Sequence, residues 1–350
     1  MSSRVPGVID VAALAGVAIG TVSNALNNPE KVAPATLARI QTAIEKLGYV
    51  PNGNARNLVR GTSGAIGLSV IDLSNTLFVD IARGAQDAAK SAGMHVILTN
   101  ADNDFGLQDK NLEFLDGARV DGMLLAPMQD SSASIDRVRR HGRPVVVLNY
   151  DSGDDQLCSV LVDNEEVGFL AARHLIDLGR TRLAFVGGRD DLQPVRLRRR
   201  GVKAAIAMEF GRVALEELTT ADLNLTGGLA TGHSIAMRSD ADRPDGVIAV
   251  TDFLGMGIIE VLTEHRISVP DQIAVMGCDY NSAAWAGPVP LTTVHMQGYE
   301  MGRESTRLLL SEITMPDHEH EKVVLSPTLA VRESTVGRGR GNAQDSREAA

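Results

Sequence analysis

From residue 65 onward, eight short apolar runs alternate with amphipathic stretches. That alternation restricts the fold more than any other feature of the chain. The first four runs cover 65–71, 94–99, 122–126 and 145–149, with helical stretches near 78–92, 107–117 and 134–141 between them. The pattern then restarts with runs at 183–187, 213–218, 247–251 and 273–277, separated by helical stretches near 197–208, 227–237 and 254–265. Short continuous apolar runs joined by helices predict βαβ units around a buried parallel sheet. Two consecutive open α/β halves predict two lobes with a cleft between them, and such sheets bind ligands outside the carboxyl ends of their strands. A chain of 350 residues has room for this body and one further small domain.

The first sixty residues are of a different kind. Val11, Ala12 and Ala15 follow helical spacing until Gly16 breaks it, and a second helical stretch carries Val22, Ala25 and Leu26. Two short helices joined by a tight glycine-containing turn form a helix-turn-helix unit. Pro34 suits the first turn of a third helix, whose stripe of Leu37, Ile40, Ile44 and Leu47 ends at Gly48. Charge supports the division. Residues 1–61 hold six basic against three acidic side chains, +3, and the remainder holds 28 against 41, −13, which together make the net −10. A basic head on an acidic body fits a DNA reader attached to something else. Aromatic residues, at 3%, are too few for a single-strand stacking platform.

Val11 to Pro29 carries no charge, as in a signal peptide or a membrane span. Gly16, Gly20, Thr21, Ser23, Asn24, Asn27 and Asn28 make it a poor bilayer segment, and Asp10 stands where a signal peptide is positive. A cytoplasmic location is expected. Cys158 and Cys278 form no CxxC pair, which fits a reducing compartment and excludes a cysteine zinc site on spacing.

The string IDVAALAGVAIGTVSNALNNPEKV, followed by AIEKLGYVPNGNARNL, closely resembles the lactose-repressor/galactose-repressor (LacI/GalR) family of transcription regulators. The resemblance is dense over residues 8–58 and continues more loosely to about 335. It implies an all-α helix-turn-helix headpiece at 1–50, a hinge at 51–61 and a periplasmic-binding-protein-like body of two lobes at 62–335. The first lobe would comprise about 62–162 and 291–325, the second about 163–290 and 326–335. The run 291–296 and a helix from 299 to 310 would return the chain to the first lobe.

The resemblance also implies roles. The second helix would lie in the major groove, with Ile19, Gly20 and Asn24 where the family reads base edges. Thr21, Ser23 and Asn27 stand where it holds phosphate or packs the turn. Asn suits an adenine edge, whereas the Arg of many relatives at position 24 suits guanine. Ala18 replaces a usual Ser and so removes a helix N-cap and a phosphate contact. Asn52 to Arg60 resembles the family's hinge helix, with Asn52, Ala55, Arg56 and Leu58 as DNA contacts and Leu58 as a minor-groove wedge. Its Gly and Asn content and its nine-residue length predict a segment that is helical only on DNA.

At the strand ends of the body, Arg and Asp offer a donor fork and hydroxyl acceptors, a combination suited to sugars. The residues expected to bind an effector are Asp72, Phe78, Asn149, Arg198, Leu223, Thr251, Asp252 and Asp279, with Arg198 and Asp279 carrying the family's effector roles. Leu223 stands where several relatives have an aromatic and Met296 where many have Gln. Arg196, Arg199 and Arg200 are expected to be solvated or paired with acids. The run Asp317-His318-Glu319-His320-Glu321 is read as a solvated loop, because it lacks a fourth ordered metal ligand. No metal or cofactor is expected.

No GxxxxGK[ST], HExxH or GxSxG motif occurs, and no neighbour in sequence activates either cysteine. The expected function is therefore a non-enzymatic repressor that binds double-stranded DNA at a near-palindromic operator. It would act as a homodimer under the control of a sugar-like effector held between the lobes, with no membrane partner. The alternatives are a solute-binding or a sugar-processing protein with the same α/β body. Residues 336–350 contain no leucine heptad and are expected to be a disordered tail, which favours a dimer over a tail-bundled tetramer.

Overall fold

A computed structural model of the chain describes residues 6–49, 63–188, 192–285, 287–315 and 317–338. The expected hinge contacts Asn52, Ala55, Arg56 and Leu58 lie outside the described residues, as does 339–350 of the tail. The chain forms two compact units that divide between Gly64 and Ala65.

The N-terminal unit contains α1 (Val8–Ala15), α2 (Ile19–Asn27) and α3 (Pro34–Leu47). The Asp10 carboxylate accepts from the Gly7 N–H at 2.7 Å and fixes the start of α1. Gly16 ends α1 in the left-handed region at φ 65°, where a side chain would be strained. The axes of α1 and α2 meet at 104°, the geometry of a helix-turn-helix. Val11, Ala12 and Ala15 pack with Val22, Ala25, Ile40 and Ala43 in a small core. No single helix among the described residues is long and apolar enough to cross a membrane.

The larger unit is built on two parallel sheets. The first contains β1 (Ala65–Val70), β2 (His95–Asn100), β3 (Met123–Leu125), β4 (Val145–Leu148), β5 (Ser159–Val162) and β11 (Lys322–Leu325), in the order β11-β5-β4-β3-β1-β2. Its flanking helices include α4 (Thr76–Ser91), α5 (Phe105–Gly117), α6 (Ser132–Arg140) and α11 (Gly298–Thr314). The second contains β6 (Arg182–Gly187), β7 (Ala214–Thr219), β8 (Gly246–Ala249) and β9 (Ala274–Met276), in the order β7-β6-β8-β9. With it go α7 (Asn164–Asp177), α8 (Gln193–Ala207), α9 (Leu225–Ala236) and α10 (Asp252–Glu264). The chain ends its described course in the short helix α12 (Glu333–Val336). The central strands of both sheets are buried on two faces, which is why they read as continuous apolar runs.

The structure adds to the sequence reading and corrects it in one place. The elements β5 and α7 were not anticipated, because SVLV is too short to stand out and α7 follows it after a single residue. The run 291–296 does not join the first sheet. Its strand β10 (Thr293–His295) pairs antiparallel with β12 (Thr328–Ala330). The strand that does return is β11, parallel to β5, with Ser159 opposite Lys322. The same register reaches the loop 317–321, whose Asp317, Glu319 and Glu321 are exposed and whose two histidines are half-buried. It brings Cys158 beside the loop, with its Sγ 3.1 Å from His318 Nε2. A pairing across 160 residues leaves no local trace in sequence.

Three helix pairs carry much of the packing, and each is interlocked by one glycine from either helix. A Cβ on Gly84 of α4 would stand 2.0 Å from the Tyr299 carbonyl, and one on Gly302 of α11 would stand 2.0 Å from the Ile81 carbonyl. Gly168 of α7 and Gly201 of α8 would each place a Cβ 1.8 Å from a carbonyl of the other helix, that of Arg198 and that of Glu165. Gly228 and Gly257 do the same for α9 and α10, at 2.4 and 2.5 Å. Backbone carbonyls cannot swing aside as side chains can, so the helices themselves must separate. Gly201→Ala is expected to destabilise the body by roughly 3 kcal/mol, the upper end of overpacking effects, as a fall in the urea midpoint at unchanged m-value. A midpoint within experimental error of wild type would show that α7 and α8 separate freely.

Candidate DNA-reading helix and effector cleft

The two units each present one site. In the N-terminal unit, α2 turns Val22 and Ala25 into the core. Ile19, Gly20, Ser23 and Asn24 lie exposed on the opposite face, Ile19 at 49%. Thr21 and Asn27 are half-buried, and Asn27 Nδ2 donates to Ser23 Oγ at 3.4 Å. Residue 18 caps α2 without a side-chain hydrogen bond, as its being alanine requires. All six expected positions therefore belong to one nine-residue helix. Its outer face offers one methyl-rich chain, a glycine, a hydroxyl and an amide to a groove.

In the larger unit, the strands of both sheets end around a cavity of about 480 Å³. Seven of the eight expected residues line it. Asp72, Phe78 and Asn149 follow strands of the first sheet, while Arg198, Leu223, Thr251 and Asp279 come from segments of the second. Arg198 is the centre of the polar network and only 4% exposed. Its Nε donates to Asn164 Oδ1 at 3.0 Å, and its Nη1 donates to the carbonyls of Val250 at 2.5 Å and Cys278 at 3.0 Å. Nη1 also stands 3.5 Å from Asp279 Oδ1. Among the described residues Nη2 meets only the Met296 thioether, at 3.7 Å, a weak acceptor.

The network extends at both ends. Asn164 Nδ2 donates to Asn149 Oδ1 at 3.3 Å, and Asn75 Nδ2 donates to Asp279 Oδ2 at 3.0 Å. Asn149, Asn164, Arg198, Asp279 and Asn75 thus form one chain of polar contacts from the first sheet's strand ends to the second's and back. Two further bridges join these segments. Asp151 and Gln193 exchange two hydrogen bonds at 2.7 and 2.8 Å, and Ser282 N–H donates to Thr76 Oγ1 at 3.2 Å. Sequence reasoning did not assign Asn75, Asn164 or Phe253 a role, although Asn75 and Phe253 line the cavity. The available sign for Asn75 was its position as N-cap of α4, where its side chain accepts from Leu77 N–H.

Asp252 does not line the cavity and is 0% exposed. It lies behind the loop that carries Asp279, accepting from Thr293 Oγ1 at 2.6 Å and from Asn281 N–H at 2.6 Å. Thr293 Oγ1 in turn accepts from the backbone N–H of Asp279 at 3.2 Å. Asp252 therefore positions Asp279 and cannot touch a ligand in the cavity. Of the neighbouring arginines, Arg199 pairs with Glu217 at 3.0 Å and Arg200 with Glu165 at 2.9 Å, as the acidic body led one to expect.

Burial raises both aspartates. It pushes Asp279 up to about 7, with Arg198 opposing and Asp252 adding to the effect, and it pushes Asp252 up to about 6. Burial likewise lifts the Cys278 thiol to about 12, which leaves it inert. A ligand hydroxyl that donates to Asp279 requires the ionised carboxylate, so binding should weaken as pH falls through about 7. Between pH 8 and pH 6 the expected loss is about tenfold, read by calorimetric titration at the two values. Equal affinity at both would remove Asp279 as an ionised acceptor.

Comparison with known proteins extends the geometry. Residues 8–52 match the family described as bacterial regulatory proteins, lacI family, and residues 172–335 match the periplasmic binding protein-like domain. The chain is 32% identical over 329 residues to the "Ribose operon repressor" of Escherichia coli (strain K12), covering 93% of this chain and 98% of that one. Among solved structures it resembles a "transcriptional regulator CelR-cellobiose complex", with TM-score 0.70 and 29% identity over 94% of this chain and 99% of that chain. It also resembles a LacI family transcriptional regulator from Enterococcus faecium with bound ribose, with TM-score 0.69 and 28% identity over 77% of this chain and 98% of that chain.

Proposed function

Because this chain belongs to the LacI family of bacterial regulatory proteins, DNA-binding transcriptional repressors controlled by small effectors, we propose that its effector is a neutral mono- or disaccharide and acts as an inducer. The single observation that carries this reading is the composition of the cavity wall. Three carboxylates, Asp72, Asp222 and Asp279, and four amides, Asn75, Asn103, Asn149 and Asn224, face one guanidinium, Arg198. Acids and amides pair with hydroxyls, whereas a phosphate or carboxylate on the ligand would meet net negative charge. Phe78 and Phe253 supply apolar faces for the ring. The volume lies in the lower half of the range of small-molecule pockets. Structures of relatives with ribose or cellobiose bound support the same class.

In this reading the headpieces of a cytoplasmic homodimer place two α2 helices on a near-palindromic operator. The lobes meet the sugar with strand ends of both sheets, and one lobe arrangement binds it better than the other. That difference in affinity sets how far the sugar can shift the equilibrium. The described residues that line the cavity include no histidine, cysteine or lysine, which supports a binder over an enzyme. A first-lobe boundary at about 162 is supported by β1 to β5 sharing one sheet and β6 to β9 another.

A thermal-shift screen of neutral sugars, sugar phosphates and nucleosides tests the proposal. At a hundred times Kd a true ligand adds about 2.7 kcal/mol to stability. The expected hits are neutral sugars, and they should release operator in a gel-shift assay. Stabilisation by nucleosides or sugar phosphates without any neutral sugar would overturn the reading.

A further inference from the structure

Outside the cleft, the fold assembles a second group of ligating side chains from three separate segments. Cys158 precedes β5, Glu312 lies near the end of α11, and His318 and His320 lie in the loop that leads to β11. One ligand atom from each lies within 4.8 Å of every other. Cys158 Sγ is 3.1 Å from His318 Nε2 and 3.7 Å from His320 Nδ1. These separations bracket the roughly 3.6 Å that bonds of about 2.3 Å to sulfur and 2.05 Å to nitrogen span around a tetrahedral ion.

Independent features surround the group. Ser311 Oγ holds His318 Nδ1 at 2.9 Å, so the ring's other nitrogen, Nε2, is the one turned to the sulfur. Metal-binding histidines are oriented by such contacts to their second nitrogen. The two imidazoles meet edge to face, 78° apart, and so present their nitrogens from different directions. The Glu321 N–H donates to Cys158 Sγ at 3.4 Å and so helps fix the position of the sulfur beside the two rings. Glu312 Oε2 is buried with no hydrogen-bond partner among the described residues. A hydrogen bond between Cys158 and His318 would account for that one pair, but it leaves the carboxylate oxygen and His320 unexplained.

We propose that Cys158, Glu312, His318 and His320 form a four-coordinate zinc site that pins the α11–β11 crossover to the edge of the first sheet. Calcium and magnesium take oxygen ligands, and copper(I) prefers sulfur without carboxylate, whereas sulfur, two imidazoles and one carboxylate match zinc. As the sulfur–zinc bond forms, the thiol proton leaves to solvent. Four protein ligands close the coordination sphere, which makes the site structural and not catalytic. It secures the strand β11, whose only sheet neighbour among the described residues is β5.

The test uses the full chain stripped with a chelator, then titrated with zinc against a chromophoric competitor and, separately, with cobalt. One zinc per chain is expected, with a rise in melting temperature. Cobalt should give a sulfur-to-metal charge-transfer band and the intense visible bands of four-coordination. Cys158→Ser should lower zinc affinity by about a hundredfold or more and abolish the charge-transfer band, and Ser311→Ala should lower affinity by about tenfold. His320→Gln, in a loop, gives the same reading should the buried Cys158→Ser fail to fold. Failure of the wild type to bind zinc overturns the proposal. So does zinc binding by Cys158→Ser or His320→Gln equal to wild type, or a cobalt spectrum without the sulfur band.

Discussion

Arg198→Ala is expected to abolish the effector response while leaving ligand-free operator binding in place. The guanidinium holds three parts of the cleft in one arrangement: Asn164 on α7, the strand-end carbonyls at Val250 and Cys278, and the Asp279 carboxylate. Each hydrogen bond from a charged donor contributes about 1.5–3 kcal/mol, so the loss of even one to the ligand lowers affinity by at least about tenfold. Loss of the alignment of Asn149 and Asp279 adds to that, and a hundredfold or greater fall is expected. The body also loses the hydrogen bonds of the guanidinium, whereas Asp279, already raised to about 7, takes up a proton once its counter-charge is gone and so limits the cost. Arg198→Lys separates the two effects. It keeps a charge beside Asp279 but lacks the fork that reaches Asn164 and both carbonyls together, so stability should recover in part and effector response should not. Operator affinity without ligand survives in both because α2 belongs to a separately cored unit. An Arg198→Ala protein that still released operator at the wild-type effector concentration would show that this cleft is not the regulatory site.

What could be read from the sequence follows the range of the interactions involved. The core-facing stripe of α2, Val22 and Ala25, is a consequence of neighbours three or four residues away, and periodicity reports that directly, while the roles of Ile19, Gly20 and Asn24 were legible only through the family resemblance. Most buried strands, though not the short β5, were equally plain because a two-sided parallel sheet demands unbroken apolar runs. Contacts between distant segments were not legible. Asp252 and Asp279 look alike as acids after strands, yet one faces the cavity and the other holds Thr293 beneath it. Asn164 stands at the start of a helix that sequence did not announce, and only the tertiary fold brings its amide between Arg198 and Asn149. The interlocking glycines read as helix-weakening residues in sequence, whereas in the fold they are what allows α7 and α8 to meet at backbone distance. The nearness of Cys158 and Glu312 to the histidines at 318 and 320 is of the same kind, since it arises from segments far apart in sequence.

Removal of residues 1–64 is expected to eliminate operator binding and leave effector binding intact. The fragment 65–350 keeps both parallel sheets and their cores, so its cleft should bind the effector with a Kd within about twofold of the full chain. It carries −13, and repulsion from the duplex would oppose even non-specific association. The full chain, by contrast, should bind a palindromic duplex despite its net −10, because the local +3 of the N-terminal segment and the donors of α2 act at the phosphates themselves. Counterion release then makes the affinity fall steeply with salt, by about 0.9 in the logarithmic slope for each phosphate neutralised. Fluorescence anisotropy with a labelled duplex at several salt concentrations measures both properties. The truncated body should give no salt-dependent binding at any concentration at which the full chain saturates. If it bound the duplex as tightly as the full chain, the DNA site would lie in the body, and the exposed face of α2 would have lost its role.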